Sequence, residues 1–232
     1  MNRPLPAIFT QLLYSCLRPH TTENKIFLFI FPEPWYSNLD YGNEVRRLAW
    51  TLEEGSPRDY SDRLEKEQRC YRMLDGLGLV YWRCDHPDAN ADTMEQCLAI
   101  DSILEAAVCK NLFLCNRQHT EFYLLMMPGE KPFRTKELSS QLGCSRLSFA
   151  GPEEMEKYLD ITPGSVSVLG LMNDTGHAVR LLVDRDVLEE EFVGCHPCIN
   201  TSSLKLRGKD LFGPVLRCMD HELTPVTLTG EP

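Results

Sequence analysis

Long apolar runs are missing from this chain of 232 residues. A membrane-spanning helix needs about 20 consecutive apolar residues, and the strongest candidate, IFLFIF at residues 26–31, runs directly into PEPW. The first residues, MNRPLPAIFTQLLYSC, are weakly apolar and are interrupted by Thr10 and Gln11. We therefore expect no membrane contact and a cytoplasmic location, with a signal peptide as the alternative interpretation of the first residues.

Basic residues are also in short supply. The chain has 24 Lys and Arg against 34 Asp and Glu, a formal net charge of −10. Extended binding along a nucleic acid depends on many Lys and Arg contacts to phosphates. This balance argues against such binding, but it leaves room for a protein that holds one short end of a nucleic acid.

The common signatures of cofactor and nucleophile chemistry are absent from the sequence. It contains no G-x-G-x-x-G, no G-x-x-x-x-G-K-[ST] and no H-E-x-x-H. It also lacks the G-x-S-x-G turn that presents a serine nucleophile. These absences give no indication of a nucleotide cofactor, a P-loop or a zincin-type metal site, and we expect no cofactor.

Cysteine is plentiful, with ten residues, but it is scattered along the chain. Several cysteines stand in apolar runs, such as Cys109 in EAAVCKN and Cys115 in NLFLCN. Free cysteine behaves as a small buried apolar residue, and a disulfide framework is typical of short secreted chains. This usage indicates a reducing compartment.

The chain divides into two segments of different character. Residues 1–60 are rich in proline, and only EVRRLAWTLEEG at 44–55 suggests a helix; we interpret them as an N-terminal extension of unknown structure. From Ser61 onward, helical and strand patterns alternate without a regular repeat. The sequence predicts an α/β (mixed α+β) domain over 61–232, a compact mixed sheet surrounded by short helices. Gly213-Pro214 should break or kink its last helix.

The stretch GCHPCIN, Gly194 to Asn200, allows several interpretations. A redox dithiol normally opens a long helix, whereas INTSSLKL, which follows here, favours a strand. Zinc could use Cys84 and His86 with Cys195 and Cys198, but these groups lie far apart in sequence. His196 could act as a general base, although a single histidine is often structural.

Lys110 opens the apolar strand CKNLFL beside Asn111. A lysine at a strand end is often solvated edge protection. The functional interpretation is a fixed cation that faces an anionic group such as a phosphate.

Several blocks in the same order resemble the YbaK-like, ProX-type prolyl-tRNA editing family. The quoted blocks are DHPDANADTMEQC, CKNLFLCNRQHTEFYLLMMPGEKPF, LGCSRLSFAGPEEMEKYLDITPGSVSVLGLMND and HAVRLLVDRDVLEEEFVGCHPCINTSSLKL. The resemblance runs from about Ser61 to Leu206, so residues 1–60 lie outside it. It implies a metal-free hydrolase that cleaves the ester of mischarged tRNA(Pro), with alanyl-tRNA(Pro) as the expected substrate and cysteinyl-tRNA(Pro) as the alternative.

The resemblance also implies roles for individual residues. Lys110 matches the family lysine near the terminal nucleotide's phosphate, with Asn111 beside it, and Gly194, His196 and Pro197 match the loop beside the ester. His196, Ser165 and the backbone at Gly164 and Gly194 would place the ester and a water molecule. The remaining residues in pocket motifs are Thr93, Val166, Leu169, Gly170, Met172, Asn173 and Asn200. The implied partners are the tRNA acceptor end and prolyl-tRNA synthetase. On this interpretation, Cys195 and Cys198 lie in the loop without a role in the reaction.

Overall fold

A computed structural model of the protein describes residues 50–87 and 94–230. The described strands are β1 (Leu52–Glu54), β2 (Trp82–Asp85), β3 (Ala107–Cys115), β4 (Phe122–Pro128), β5 (Ser148–Phe149), β6 (Val179–Asp184), β7 (Phe192–Cys195), β8 (Ser202–Arg207) and β9 (Leu223–Val226). The described helices are α1 (Glu65–Gly76), α2 (Met94–Leu104), α3 (Thr135–Leu142), α4 (Pro152–Leu159) and α5 (Arg185–Leu188). A 3₁₀ helix covers Val168–Asn173, and the C-terminal helix runs through α6 (Gly208–Asp210), a π turn (Leu211–Val215) and α7 (Leu216–Cys218).

The strands form one mixed sheet in the order β1-β2-β8-β7-β3-β4-β6-β9, with β5 paired to β3. Strand β3 lies parallel to β7 and antiparallel to β4. The pairs β4–β6 and β6–β9 are parallel, whereas β1–β2, β2–β8 and β7–β8 are antiparallel. The predicted class, a mixed sheet surrounded by short helices, is confirmed.

Alternating side chains of β3 and β4 supply two cores on opposite faces of the sheet. Phe113 and Leu124 belong to the larger core, and Leu114 and Leu125 belong to a second one. This alternation follows from the two-residue period of a strand. It also decides on which face each candidate site residue lies.

Two elements differ from the sequence prediction. Residues 52–54, predicted to be helical, form strand β1, because their backbone pairs with β2 through Leu52 and Cys84. Strand β9 was not predicted, since it contains Pro225, yet it pairs in parallel with β6. Long-range pairing determines the structure of both short segments.

The C-terminal helix is not broken at Gly213-Pro214. A π turn at Leu211–Val215 includes Pro214, and helical structure resumes at Leu216. The wider turn accommodates a residue that lacks a backbone donor.

Candidate functional site

Two loops that carry candidate residues contact each other. Ser167 lies after the ITPGS turn, and its hydroxyl donates to the backbone carbonyl oxygen of His196 across 2.5 Å. The same hydroxyl accepts a hydrogen bond from the amide of Leu169 at 3.2 Å. Gly164 has φ +88, and a Cβ there would lie 3.5 Å from the Asn200 side-chain nitrogen. The hydroxyl of Ser167 therefore joins the loop at 162–167 to the loop after β7, and Gly164 and Asn200 lie near each other in the same two loops.

Strand register relates Lys110 to the beginning of the His196 loop. Residue 108 of β3 pairs with Gly194 of β7, and side chains alternate along a strand, so Lys110 lies on the face that Gly194 presents. Gly194 also pairs with Lys205 of β8. Ser203, two residues earlier, shares that face, and its hydroxyl lies 3.5 Å from Nδ1 of His196. Lys110 and the His196 ring are thus associated with the same face of the sheet.

His196 has a defined hydrogen-bonding state. Its Nδ1 lies 3.0 Å from the backbone carbonyl oxygen of Ser202. A carbonyl only accepts, so Nδ1 carries the proton and Nε2 holds the lone pair. Burial lowers the pKa of His196, the Ser202 carbonyl opposes this effect, and nearby His86 lowers it further. The ring is therefore neutral at pH 7.

Lys110 is a half-buried cation in β3. Burial lowers its pKa, and the carboxylate of Glu130 acts in the opposite direction. Within residues 50–87 and 94–230, Glu130 is the carboxylate that acts on its ammonium. A half-buried cation of this kind can bind an anionic ligand.

Asn111 does not share the Lys110 face. Adjacent residues of a strand point to opposite sides, and Asn111 lies on the side of Phe113 in the larger core. Its Oδ1 is buried and has no hydrogen-bond partner among the described residues. Lys110 and Asn111 therefore point to opposite sides of β3, and the anchoring of the terminal nucleotide by these two residues stays a prediction.

The residues around the 3₁₀ helix mainly have packing contacts. Leu169 is fully buried in the larger core. A Cβ on Gly170 would lie 2.4 Å from Cδ1 of Ile161, and Asn173 donates to the carbonyl oxygens of Leu159 and Gly170 at 2.8 and 3.2 Å. These residues stabilise the loop, whereas Val166 and Met172 are only partly buried and pack against the edge of the larger core.

Two further candidates lie within the joined loops. Ser165 is buried, and its amide already donates to the carbonyl oxygen of Thr162 at 3.1 Å. It is therefore not a free donor for an oxyanion. Pro197 is buried beside His196. Thr93 lies outside the described residues.

The cysteines of GCHPC face protein rather than solvent. Cys195 and Cys198 are buried, and Cys198 lies 3.7 Å from Cys70 of α1, sulfur to sulfur. Burial raises the pKa of the Cys195 thiol, whereas thiol chemistry needs the thiolate. Over the described part of the chain, no three His, Cys, Asp or Glu residues are grouped as metal ligands.

A cleft of about 900 Å³ lies beyond the other end of β3. Arg117, His119, Arg146 and Phe149 are among its lining residues. None of the candidates above lines it, so size alone does not locate the site.

Over the same described ranges, no helix is long and apolar enough to cross a membrane.

Sequence reasoning missed three residues around His196. Ser167 donates a hydrogen bond to the His196 carbonyl oxygen, and Ser203 lies beside the His196 ring. The third residue is His86, whose Nε2 lies 2.9 Å from the Ser203 Oγ. His86 stood in the quoted block DHPDANADTMEQC, but only as a zinc alternative. No local pattern indicates its contact with a serine 117 residues away.

Comparison with known proteins identifies the class. The family model described as "aminoacyl-tRNA editing domain" matches residues 88–213. This match covers more than half of the chain, and the chain belongs to the aminoacyl-tRNA editing domain family. Its ProX-like members are aminoacyl-tRNA deacylases, so the chain is a hydrolase of an aminoacyl ester.

Individual relatives agree with this assignment. The prolyl-tRNA editing protein ProX of Acetoanaerobium sticklandii is 29% identical over 148 residues, which cover 64% of this chain and 89% of that protein. Prolyl-tRNA synthetase associated domain-containing protein 1 of Danio rerio is 30% identical over 148 residues, 62% of this chain and 77% of that protein. The crystal structure of a candidate trans-editing enzyme for prolyl-tRNA synthetase has a TM-score of 0.53 at 16% identity, covering 71% of this chain and 98% of its own. That likeness concerns the fold.

Proposed function

We propose that the protein hydrolyses mischarged tRNA(Pro) in trans, with alanyl-tRNA(Pro) as its substrate. The observation that supports the proposal is the strand register, which puts Lys110 on the sheet face shared by Gly194 and Ser203, and the Ser203 hydroxyl lies beside the His196 ring. The ProX and synthetase-associated relatives support the prolyl-tRNA context. The net negative charge of the chain fits a protein that holds only the aminoacylated end of the tRNA.

In this mechanism, Lys110 binds the phosphate of the terminal nucleotide as a fixed point charge. The neutral His196 ring offers the lone pair of Nε2 to a water molecule or to the vicinal 2′-hydroxyl. Water adds to the ester carbonyl carbon, the bond from that carbon to the ribose oxygen breaks, and the oxygen takes up a proton. The products are the free amino acid and tRNA with an intact 3′ end.

Such a site needs no strong nucleophile. The α-ammonium of the amino acid withdraws electrons from the ester, so the uncatalysed reaction is already fast and the required acceleration is modest. Holding the nucleotide and the water in place supplies a large share of it. Since the amide of Ser165 is engaged in a turn and Gly164 has φ +88, we assign both residues to shaping the loop.

Selection of alanine over proline would come from exclusion by size. Val166 in the 162–167 loop and Met172 in the 3₁₀ helix are partly buried apolar side chains, and we propose that they limit the space for the amino acid. A rigid wall rejects a larger ring better than binding energy can, since one methylene changes affinity by only about 1–3 kcal/mol. Cysteine is the nearest competitor because it is also small.

The experiment is a panel of radiolabelled substrates incubated with the full chain. Alanyl-tRNA(Pro), cysteinyl-tRNA(Pro) and prolyl-tRNA(Pro) are compared, with alanyl-tRNA(Ala) as the control for the tRNA body. We expect rapid release of alanine from the first substrate only. Preferred release of cysteine would assign the alternative substrate. Binding of tRNA without any release would assign a non-catalytic module, which would act with prolyl-tRNA synthetase in the cytoplasm.

A further inference from the structure

His86 is a buried histidine that the mechanism above does not use. Its side chain is completely buried, with 0% of the residue exposed. It follows β2 directly, and its amide donates to the carbonyl oxygen of Thr201 at 2.9 Å. The ring of Trp50 contacts its ring with centroids 5.6 Å apart. His86 is therefore fixed by backbone and by packing from a different strand than the one that carries His196.

Ser203 connects the two imidazoles. Its hydroxyl lies 2.9 Å from Nε2 of His86 and 3.5 Å from Nδ1 of His196. The register of β2 and β8 places Ser203 opposite Cys84, two residues before His86. Ser203 is itself only 3% exposed. The strands thus place three polar side chains in a row, His86, Ser203 and His196, and His196 is the most exposed of the three.

The hydrogen bonds at the Nδ1 edge of His196 determine how its ring is oriented. Nδ1–H donates to the Ser202 carbonyl oxygen at 3.0 Å, and the Ser203 hydroxyl lies on the same edge of the ring. The Ser202 carbonyl sets this tautomer, and the Ser203 hydroxyl, itself held by His86, lies against the same edge, so the ring keeps Nδ1–H turned inward. The opposite nitrogen, Nε2, then points away from this buried edge with its lone pair free of any described hydrogen bond.

We infer that Ser203 and His86 are positioning residues for the deacylation, because together they hold the Nδ1 edge of the His196 ring against the Ser202 carbonyl and so present Nε2 to the substrate. This inference rests on the proposed role of His196. It assigns neither Ser203 nor His86 a contact with the aminoacyl ester. Both act through the orientation of another residue, as outer partners of a functional histidine commonly do.

A nuclear magnetic resonance experiment tests the inference without any variant. Long-range nitrogen–proton correlation of the full chain, labelled with ¹⁵N-histidine and assigned by comparison with His196→Gln, reports which ring nitrogen carries the proton. We expect His196 to be protonated at Nδ1 at pH 7, and Ser203→Ala to shift the nitrogen and proton resonances of the His196 ring while the Ser202 carbonyl keeps the proton on Nδ1. A wild-type ring protonated at Nε2, or a ring unaffected by Ser203→Ala, would overturn the inference. This result does not depend on activity, so it is distinct from a failure of the proposed function.

Kinetics with alanyl-tRNA(Pro) provide the second arm. We expect Ser203→Ala and His86→Phe to lower kcat by roughly ten- to a hundredfold with little change in KM, since misplacement of a reacting group affects the chemical step. His86→Gln, whose amide can still bond the Ser203 hydroxyl, should recover most of the loss. Ser203→Ala should cost nothing further in a His196→Ala background, because the two act as a unit. Additive losses in that double variant, or an unchanged kcat in folded Ser203→Ala, would contradict the positioning role.

Discussion

The hydroxyl of Ser167 donates to the backbone carbonyl oxygen of His196 across 2.5 Å, although the two residues are 29 positions apart in sequence. The contact joins the loop before the 3₁₀ helix to the loop after β7. Gly164 and Asn200 lie near each other in the same two segments, since a Cβ on Gly164 would lie 3.5 Å from the Asn200 side-chain nitrogen. His196 is therefore held at two places: Ser167 bonds its backbone carbonyl, and Ser202 and Ser203 contact its ring.

Removal of the Ser167 hydroxyl should loosen this junction. Ser167 is fully buried, and Ser167→Ala leaves the amide of Leu169 without its partner. We expect a loss of about 1–3 kcal/mol in the free energy of unfolding, measured by urea denaturation, together with slower deacylation. Ser140→Ala is the matched control, because Ser140 makes a similar bond to a backbone carbonyl on an exposed helix face. Equal stability of the two variants would show that the junction contributes little.

Gly170 should not tolerate a side chain. A Cβ there would lie 2.4 Å from Cδ1 of Ile161 and 3.1 Å from the carbonyl oxygen of Leu159. We expect Gly170→Ala to lower the free energy of unfolding by about 1–3 kcal/mol. Ile161→Val removes the Cδ1 atom, so the double variant should lose less than the sum of the two single changes. Gly176→Ala, where the new atom meets nothing within 4 Å, is the control.

Cys195 and Cys198 should be dispensable for the reaction. Both are buried, so Cys195→Ala with Cys198→Ala is expected to lower the melting temperature. Deacylation by the folded double variant at a temperature well below its melting point should remain close to that of the wild type. Cys218→Ala, at an exposed cysteine, controls for handling of the protein. Loss of hydrolysis in the folded double variant would restore the dithiol interpretation.

The start of the domain can be located by truncation. The sequence predicts that a chain beginning at Ser61 folds, and residues 50–60 add strand β1 and the contact of Trp50 with His86. Arg83 also donates to the carbonyl oxygen of Gly55 at 2.8 Å. We expect the chain that begins at Trp50 to melt at least about 4 °C above the one that begins at Ser61. Calorimetry that gave identical melting temperatures would place residues 50–60 outside the stable domain.

The sequence predicted the strongly patterned elements well. Strands β3 and β4 are long and apolar and are separated by a short polar turn, so local composition was sufficient for them. Strand β9 was missed because Pro225 argues against a strand, and only its pairing with β6 determines it. For residues 52–54 the local pattern predicts a helix, and only their pairing with β2 makes them a strand.

The candidate site was predictable in part. The resemblance indicated Lys110 and the His196 loop, and strand register is compatible with a shared face. The opposite orientation of Asn111 could have been read from the two-residue period of a strand. By contrast, the contacts of His196 with Ser167 and Ser203 depend on tertiary packing. No local motif encodes them, so sequence reasoning could not find them.

The central claim is that Lys110 and His196 act on the same aminoacyl ester. Single-turnover hydrolysis of alanyl-tRNA(Pro) by Lys110→Ala and His196→Ala tests it most directly, with Lys136→Ala, at an exposed lysine, as the matched control. Loss of a charge-assisted contact to phosphate is worth about 1.5–3 kcal/mol, or roughly 10- to 150-fold in rate. We predict a loss of that order for Lys110→Ala and a large loss for His196→Ala, with melting temperatures close to that of the control. Wild-type rates in either folded variant would contradict the account.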